Sequence, residues 1–210
     1  MRRFLISMAA VASLAACGAD NHWAPDEQVQ AARYVHDGPP TITLFTVLGA
    51  KSGSGAHSAI MVNGSQRLIF DPAGTWHHPH LPERHDVHYG MTDAAVDFYI
   101  DYHARITYNV VQQDVVVSPA VAEMALRRMQ ENGAVSKAMC TTSVTTILRQ
   151  LPGFESIPQS PFPKKAMKAF AQLPGVVETT TTDDDADENG YIIARGIHPL
   201  DIPGTAAATD

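Results

Sequence analysis

Charge is scarce in this chain, and what there is has the wrong sign for nucleic acid. Only 18% of its 210 residues are charged, and the formal net charge is −7, whereas phosphate binding needs a basic surface. No HExxH and no CxxC is present, and Lys51-Ser52 lacks the Gly-x-x-x-x-Gly frame of a phosphate loop. Phe4 to Leu14 is apolar, but too short to span a bilayer as a mature helix. No internal repeat is evident. Cysteine is nearly missing too: Cys17 and Cys140 are the only two.

What is there begins with a targeting segment. Arg2 and Arg3 precede the apolar stretch as a positive n-region. Leu14-Ala15-Ala16-Cys17 then resembles the bacterial lipobox, which implies cleavage after residue 16 and lipidation of Cys17 by acyl chains such as palmitate. Two or more chains give stable anchoring where one is marginal. Gly18 follows the cysteine in place of the aspartate that marks inner-membrane retention. The expectation is therefore an envelope lipoprotein at the outer membrane, facing the periplasm. With Cys17 consumed by lipid, Cys140 has no partner for an intramolecular disulfide. A lone thiol in an oxidising compartment is either buried and inert or kept for its reactivity.

The chain divides into a signal peptide over 1–16, a lipidated tether over 17–40, one α+β domain over 41–200 with its core in 41–151, and a disordered tail over 201–210. The tether holds one short helix near Asp26 to Tyr34. Thr41 to Leu48, rich in β-branched residues, predicts a first strand. Pro72 to Tyr89 carries Trp76, His77, His78, His80, His85 and His88 without periodicity, which predicts a surface flap. Thr92 caps a helix through Asp93 to His103, and Tyr108 to Val117 is a strand. Ser118-Pro119 opens another helix, ended by Asn132-Gly133. Cys140, Val144, Ile147, Leu148 and Leu151 fall on one stripe of the next helix, whose threonines are poor helix formers and demand tertiary support. A short helix over Lys164 to Leu173, a solvated acidic loop over Glu178 to Asn189 and a last strand over Tyr191 to Arg195 complete the reading.

Register in one hairpin carries the functional expectation. His57 to Val62 and Gln66 to Asp71 flank Asn63-Gly64-Ser65. A two-residue loop would mix apolar and polar faces. A three-residue loop pairs Val62 with Gln66, Ile60 with Leu68 and Ser58 with Phe70, gathering the apolar residues on one face. The same register sets His57 opposite Asp71 on the other face. An imidazole beside a carboxylate can act as a base towards a thiol, and a helix N-terminus favours the thiolate. The helix end alone contributes about 0.3–1 kcal/mol, so the histidine must supply most of the activation. Backbone N–H groups at the start of the Cys140 helix offer an oxyanion site.

A His-led strand beginning Gly55-Ala56-His57-Ser58-Ala59-Ile60-Met61-Val62, an acid after the next strand, and a cysteine opening a later helix resemble the circularly permuted NlpC-like papain superfamily. That group includes YiiX-type bacterial proteins and is similar to lecithin retinol acyltransferase. The resemblance covers roughly Thr41 to Leu151. It implies a papain-like antiparallel sheet packed against helices, with Cys140 as nucleophile at a helix N-terminus, His57 as base and Asp71 as the third polar residue. Many members carry a polar residue where Met139 stands here. Trp76 and Ser58 are the expected substrate contacts. The substrate would be cell-wall peptide or a lipid amide or ester, and membrane lipid is met through Cys17. No metal and no cofactor is expected. The alternatives are a non-catalytic envelope lipoprotein on the same fold and a metal-binding one using the His77 to His88 loop.

Overall fold

The computed structural model describes Ala19 and residues 21–187. The signal segment, Cys17, the expected strand at Tyr191 to Arg195 and the tail over 201–210 lie outside the described residues. Seven strands form one antiparallel sheet in the order β4-β5-β3-β2-β1-β6-β7. They are β1 (Thr41–Gly49), β2 (Gly55–Asn63), β3 (Arg67–Phe70), β4 (Glu83–Arg84), β5 (Val87–His88), β6 (Tyr108–Val116) and β7 (Val177–Thr181). The helices are α1 (Asp26–Ala31), α2 (Asp93–His103), α3 (Pro119–Glu131), α4 (Cys140–Leu148) and α5 (Pro163–Phe170). The architecture is α+β.

Strand periodicity sends alternate side chains into two cores. On one face Ile42, Leu44, Ile60, Val62, Leu68 and Phe70 pack against Ala125, Leu126 and Met129 of α3, Val144, Ile147 and Leu148 of α4, and Phe170 of α5. On the other, Phe45, Ala59, Met61 and Ile69 meet Val96, Phe98, Tyr99 and Tyr102 of α2 together with Trp76 and Leu81. The caps predicted for α2 and α3 are both made. Thr92 accepts from the Ala95 N–H and Ser118 from the Val121 N–H, at 3.2 and 3.3 Å.

The β2–β3 hairpin has the expected faces but not the expected pairs. Val62 pairs with Leu68, Ile60 with Phe70 and Asn63 with Arg67, a slide of two residues from the predicted register. Burial constrains only which face a residue takes, and a two-residue slide leaves every face unchanged. The loop is Gly64-Ser65-Gln66, and a methyl on Gly64 would come within 2.9 Å of Leu126 and Glu123. Glycine lets α3 dock there, and Glu123 accepts from the Ser65 N–H at 2.6 Å and from its hydroxyl at 2.9 Å.

Other expectations need correction. The Pro72 to Tyr89 flap contains β4 and β5, a small hairpin that extends the sheet beyond β3. Two-residue strands are too short to show periodicity. The 17–40 segment is docked where it is described: Arg84 donates to the Ala24 carbonyl at 2.7 Å and stacks over Trp23, and Ala32 is buried. Helix α4 stops at Leu148 and Leu151 packs from the following turn. The Lys164 to Leu173 helix runs instead from Pro163 to Phe170.

The acidic stretch from Glu178 begins as strand β7, because its β-branched threonines suit an edge strand. Its aspartates also have a structural role. Arg105 is fully buried and forms ion pairs with Asp101, Asp185 and Asp183 at 3.1, 3.3 and 3.7 Å, compensation that a buried guanidinium requires. Phe170 closes the first core against Phe154, with ring centroids 5.9 Å apart. Phe170→Ala should cost about 3–5 kcal/mol of folding stability, read as a fall in the urea midpoint at constant slope. A loss well below 1 kcal/mol would mean that α5 does not seal this core.

Candidate active site

Strand β3 ends at Phe70, opposite Ile60, so residues 55–59 of β2 have no partner on that side. The first turn of α4 lies against this free edge. Its backbone approach is unusual: Ala138 has φ +66° and Met139 sits at φ −104°, ψ 8°, sparsely populated regions that occur at functional sites. The Ser58 N–H donates to the Cys140 sulfur, and Thr141 Oγ1 lies 3.7 Å from it. Thr141 also donates to Ser58 Oγ at 3.1 Å. Buried Thr145 bonds back to the Thr141 carbonyl at 2.8 Å and accepts from the Ser160 N–H at 3.2 Å. Packing and these bonds hold a threonine-rich helix that propensity alone would not.

His57, Cys140 and Asp71 come together. The His57 Nε2–H donates to Asp71 Oδ1 at 2.6 Å, which leaves Nδ1 as the nitrogen available to the Cys140 thiol, whose ionisation is coupled to the ring. The carboxylate stands diagonal to His57 in the observed register rather than opposite it. Asp71 is 1% exposed, and Oδ1 also accepts from the Tyr99 hydroxyl at 2.8 Å. Below it the chain turns sharply through Pro72, Ala73 and Gly74, with the Gly74 N–H bonded to the Asp71 carbonyl at 3.0 Å. Proline fixes the first central residue, so Ala73 at φ +56° takes the type II position that glycine usually fills. A methyl on Gly74 would lie 1.8 Å from Asp71 Oδ2; only glycine lets the turn pass beneath the carboxylate.

Electrostatics follow from this geometry. Burial pushes the His57 imidazolium down, but the Asp71 charge and hydrogen bond overcome it and hold the group up at about 10. Burial likewise opposes the Asp71 carboxylate, yet the His57 charge and hydrogen bond keep it well below the usual range. Burial raises the Cys140 thiol, and the His57 hydrogen bond and charge, with the Ser58 N–H, bring it down from 9.0 to about 7. Between about pH 7 and about pH 10 the pair is a thiolate and an imidazolium.

No family model, curated protein or solved structure matches the chain. Its chemistry is therefore read from its own side chains.

Two cavities flank the turn at Ala73, Gly74 and Thr75. One, of about 260 Å³, is lined by His57, His103, Tyr102 and Arg105. The other, of about 560 Å³, is lined by His22, Glu83, Asp86 and Lys137 among others. Trp76, expected to face substrate from a surface flap, is 2% exposed. It packs against His88 and Tyr99 with centroids 4.7 and 5.3 Å apart, because the β4–β5 hairpin folds the flap into the second core. Ser58 is fully buried and serves the thiol through its backbone. The His77 to His88 histidines do not gather into a ligand group among the described residues; His88 is buried, and burial pushes it down to about 4. Cys17 lies outside the described residues.

Sequence reasoning did not assign Tyr99 or His103 a place in the site. His103 stacks on His57, planes 4° and centroids 5.9 Å apart, and its Nδ1–H donates to the Tyr99 carbonyl at 2.8 Å. Both lie on the inward stripe of α2, four residues apart, where a tyrosine and a histidine on an apolar face were the available signal.

The coupling makes a pH prediction. Alkylation of Cys140 by iodoacetamide should rise with a midpoint near pH 7, and His57→Ala should move the midpoint upward; a midpoint at about 8.5 in the unaltered protein would mean an unperturbed thiol. Stability carries the same pair with opposite signs. The raised His57 stabilises fully below pH 6.5 and loses that contribution as pH climbs through about 10. The lowered Cys140 stabilises fully above pH 9.0 and loses it as pH falls through about 7. Between pH 7 and 9 the urea midpoint of Cys140→Ser should therefore fall relative to that of the unaltered protein.

Proposed function

We propose that this protein is a cysteine-dependent amide or ester hydrolase or acyltransferase of the permuted papain type, anchored to the bacterial envelope by lipid on Cys17. The observation that carries the reading is the pairing of His57 with the buried Asp71, 2.6 Å between Nε2 and Oδ1, on a ring whose charge also lowers the Cys140 thiol. The order of the residues supports it, with histidine on a strand, acid after the next strand and cysteine opening a later helix. So does an antiparallel sheet with helices on both faces.

In this reading the thiolate sulfur bonds to the substrate carbonyl carbon, and the carbonyl oxygen becomes the oxyanion. The first N–H groups of α4 have no intrahelical partner and supply its hydrogen bonds. Met139 contributes no side-chain donor, so the backbone carries this duty. The His57 imidazolium passes its Nδ1 proton to the leaving nitrogen or oxygen, the carbonyl–heteroatom bond breaks, and an acyl-enzyme remains. His57, now neutral, takes a proton from water or from an acceptor alcohol or amine, which attacks the thioester and returns Cys140 as thiolate. Asp71 holds the ring and balances its charge throughout.

Cell-wall peptide is the first substrate class, given the envelope setting, and acyl lipid the second. A competing reading, a non-catalytic lipoprotein on the same fold, draws on the 9% exposure of Cys140. Purified sacculi and phospholipid vesicles separate the possibilities. Release of peptides with new free amino groups from the sacculi marks the first substrate class, and release of acyl chains with intact sacculi marks the second. His57→Ala should lower the rate by about 10²–10⁴, and Cys140→Ser should abolish both turnover and any acyl adduct on the intact protein's mass spectrum. Absence of turnover and adduct with both substrates would favour the non-catalytic reading. Anchoring is tested separately: Cys17→Ser should remove labelling by fatty acid and shift the protein from the membrane to the soluble fraction.

A further inference from the structure

The thiol relay leaves His103 without a task, although its ring lies against His57 and beside the carboxylate. Metal-ligand atoms of His57, Asp71 and His103 all lie within 4.8 Å of one another. The Nδ1–H of His103 is committed to the Tyr99 carbonyl at 2.8 Å, so Nε2 is the lone-pair nitrogen of that ring. Metal-binding histidines are held in this way, with one nitrogen on a backbone carbonyl and the other on the ion. Asp71 Oδ2 is buried and has no hydrogen-bond partner, which leaves coordination capacity on a group that is already charged. The Tyr99 hydroxyl on Oδ1 at 2.8 Å fixes the carboxylate from behind. A single helical residue thus braces two of the three ligands, one through its side chain and one through its carbonyl. His57 and His103 both line the 260 Å³ cavity, which provides an entry path and room for solvent on the ion.

We infer that His57, His103 and Asp71 form a binding site for a divalent transition metal ion of the zinc class, and that its occupation shuts off Cys140. Two imidazoles and one carboxylate suit such an ion better than the oxygen-only sets of calcium or magnesium. Three protein ligands leave a position for water. The site is not a second catalytic centre, because it takes the base that the thiol needs. On binding, the ion bonds to the His57 nitrogen that faces Asp71, and the proton on that nitrogen leaves to solvent. No oxidation state changes. A metallated ring no longer takes up and returns a proton for the thiol, so acyl transfer stops until the ion is removed. The consequence for Cys140 rests on the proposed hydrolase reading; the binding of the ion does not.

The two are separable by experiment. The full chain carrying Cys140→Ser, stripped with chelator, is titrated with Zn²⁺ by calorimetry. One saturable site per chain is expected, and it should be lost in His103→Gln with the far-ultraviolet circular dichroism unchanged. Retention of the site in His103→Gln would move the ion elsewhere, and no saturable uptake would remove the proposal. Should His103→Gln fail to fold, Co²⁺ added to the unaltered protein gives the answer alone. Visible bands of a nitrogen- and oxygen-ligated ion are expected, and a near-ultraviolet thiolate-to-cobalt band would overturn the ligand assignment. In the unaltered protein one equivalent of Zn²⁺ should suppress iodoacetamide labelling of Cys140, with recovery on chelation. Undiminished labelling of a zinc-loaded chain would refute the shut-off while leaving the hydrolase reading standing. Failure of every substrate to turn over would leave the calorimetric result untouched.

Discussion

The buried carboxylate of Asp71 sets the terms for everything around it. A charge without water must be paired and hydrogen-bonded, or it costs several kcal/mol. On Oδ1 the requirement is met by the His57 imidazolium at 2.6 Å and the Tyr99 hydroxyl at 2.8 Å, while Oδ2 keeps its lone pairs. The pairing raises His57, and the raised imidazolium in turn lowers the Cys140 thiol. Proton affinity is thus passed along three residues, from a group that cannot tolerate protonation to one that is poised near neutrality.

Much of the surrounding architecture serves that carboxylate. Gly74 is tolerated under it because glycine has no side chain to strike Oδ2, and Ala73 accepts a left-handed backbone so that the turn can pass. Helix α2 presents Tyr99 to Asp71 and stacks His103 on His57. The early end of β3 matters as much. It leaves the edge of β2 at Ser58 free of a third strand, and the Cys140 thiol lies against it.

The candidate triad was legible because two constraints on it are local. Which face of a strand a residue occupies follows from alternation, and this put His57 and Asp71 on the same side of the sheet in every register that keeps the apolar residues together. The Ser118 cap before Pro119, the Thr92 cap and the stripe of α4 were equally local. What failed did so for reasons of scale. Strands β4 and β5 are two residues each, and β7 is an exposed edge strand without apolar alternation, so none shows a pattern. Trp76 looked like a surface aromatic because the hairpin that buries it was invisible. The aspartates after β7 looked solvated because their partner, Arg105, is far away in the chain.

By itself the sequence determined the order of the main elements, a cysteine at the head of a helix, and the shared face of histidine and acid. These follow from periodicity, capping and cysteine count, which act over a few residues. Only the tertiary structure decided that the register slides by two, that Ser58 gives its N–H to the thiol, and that Tyr99 and His103 enclose the carboxylate. Each of these depends on contacts between segments distant along the chain, and on a burial penalty that exists only once the core has closed.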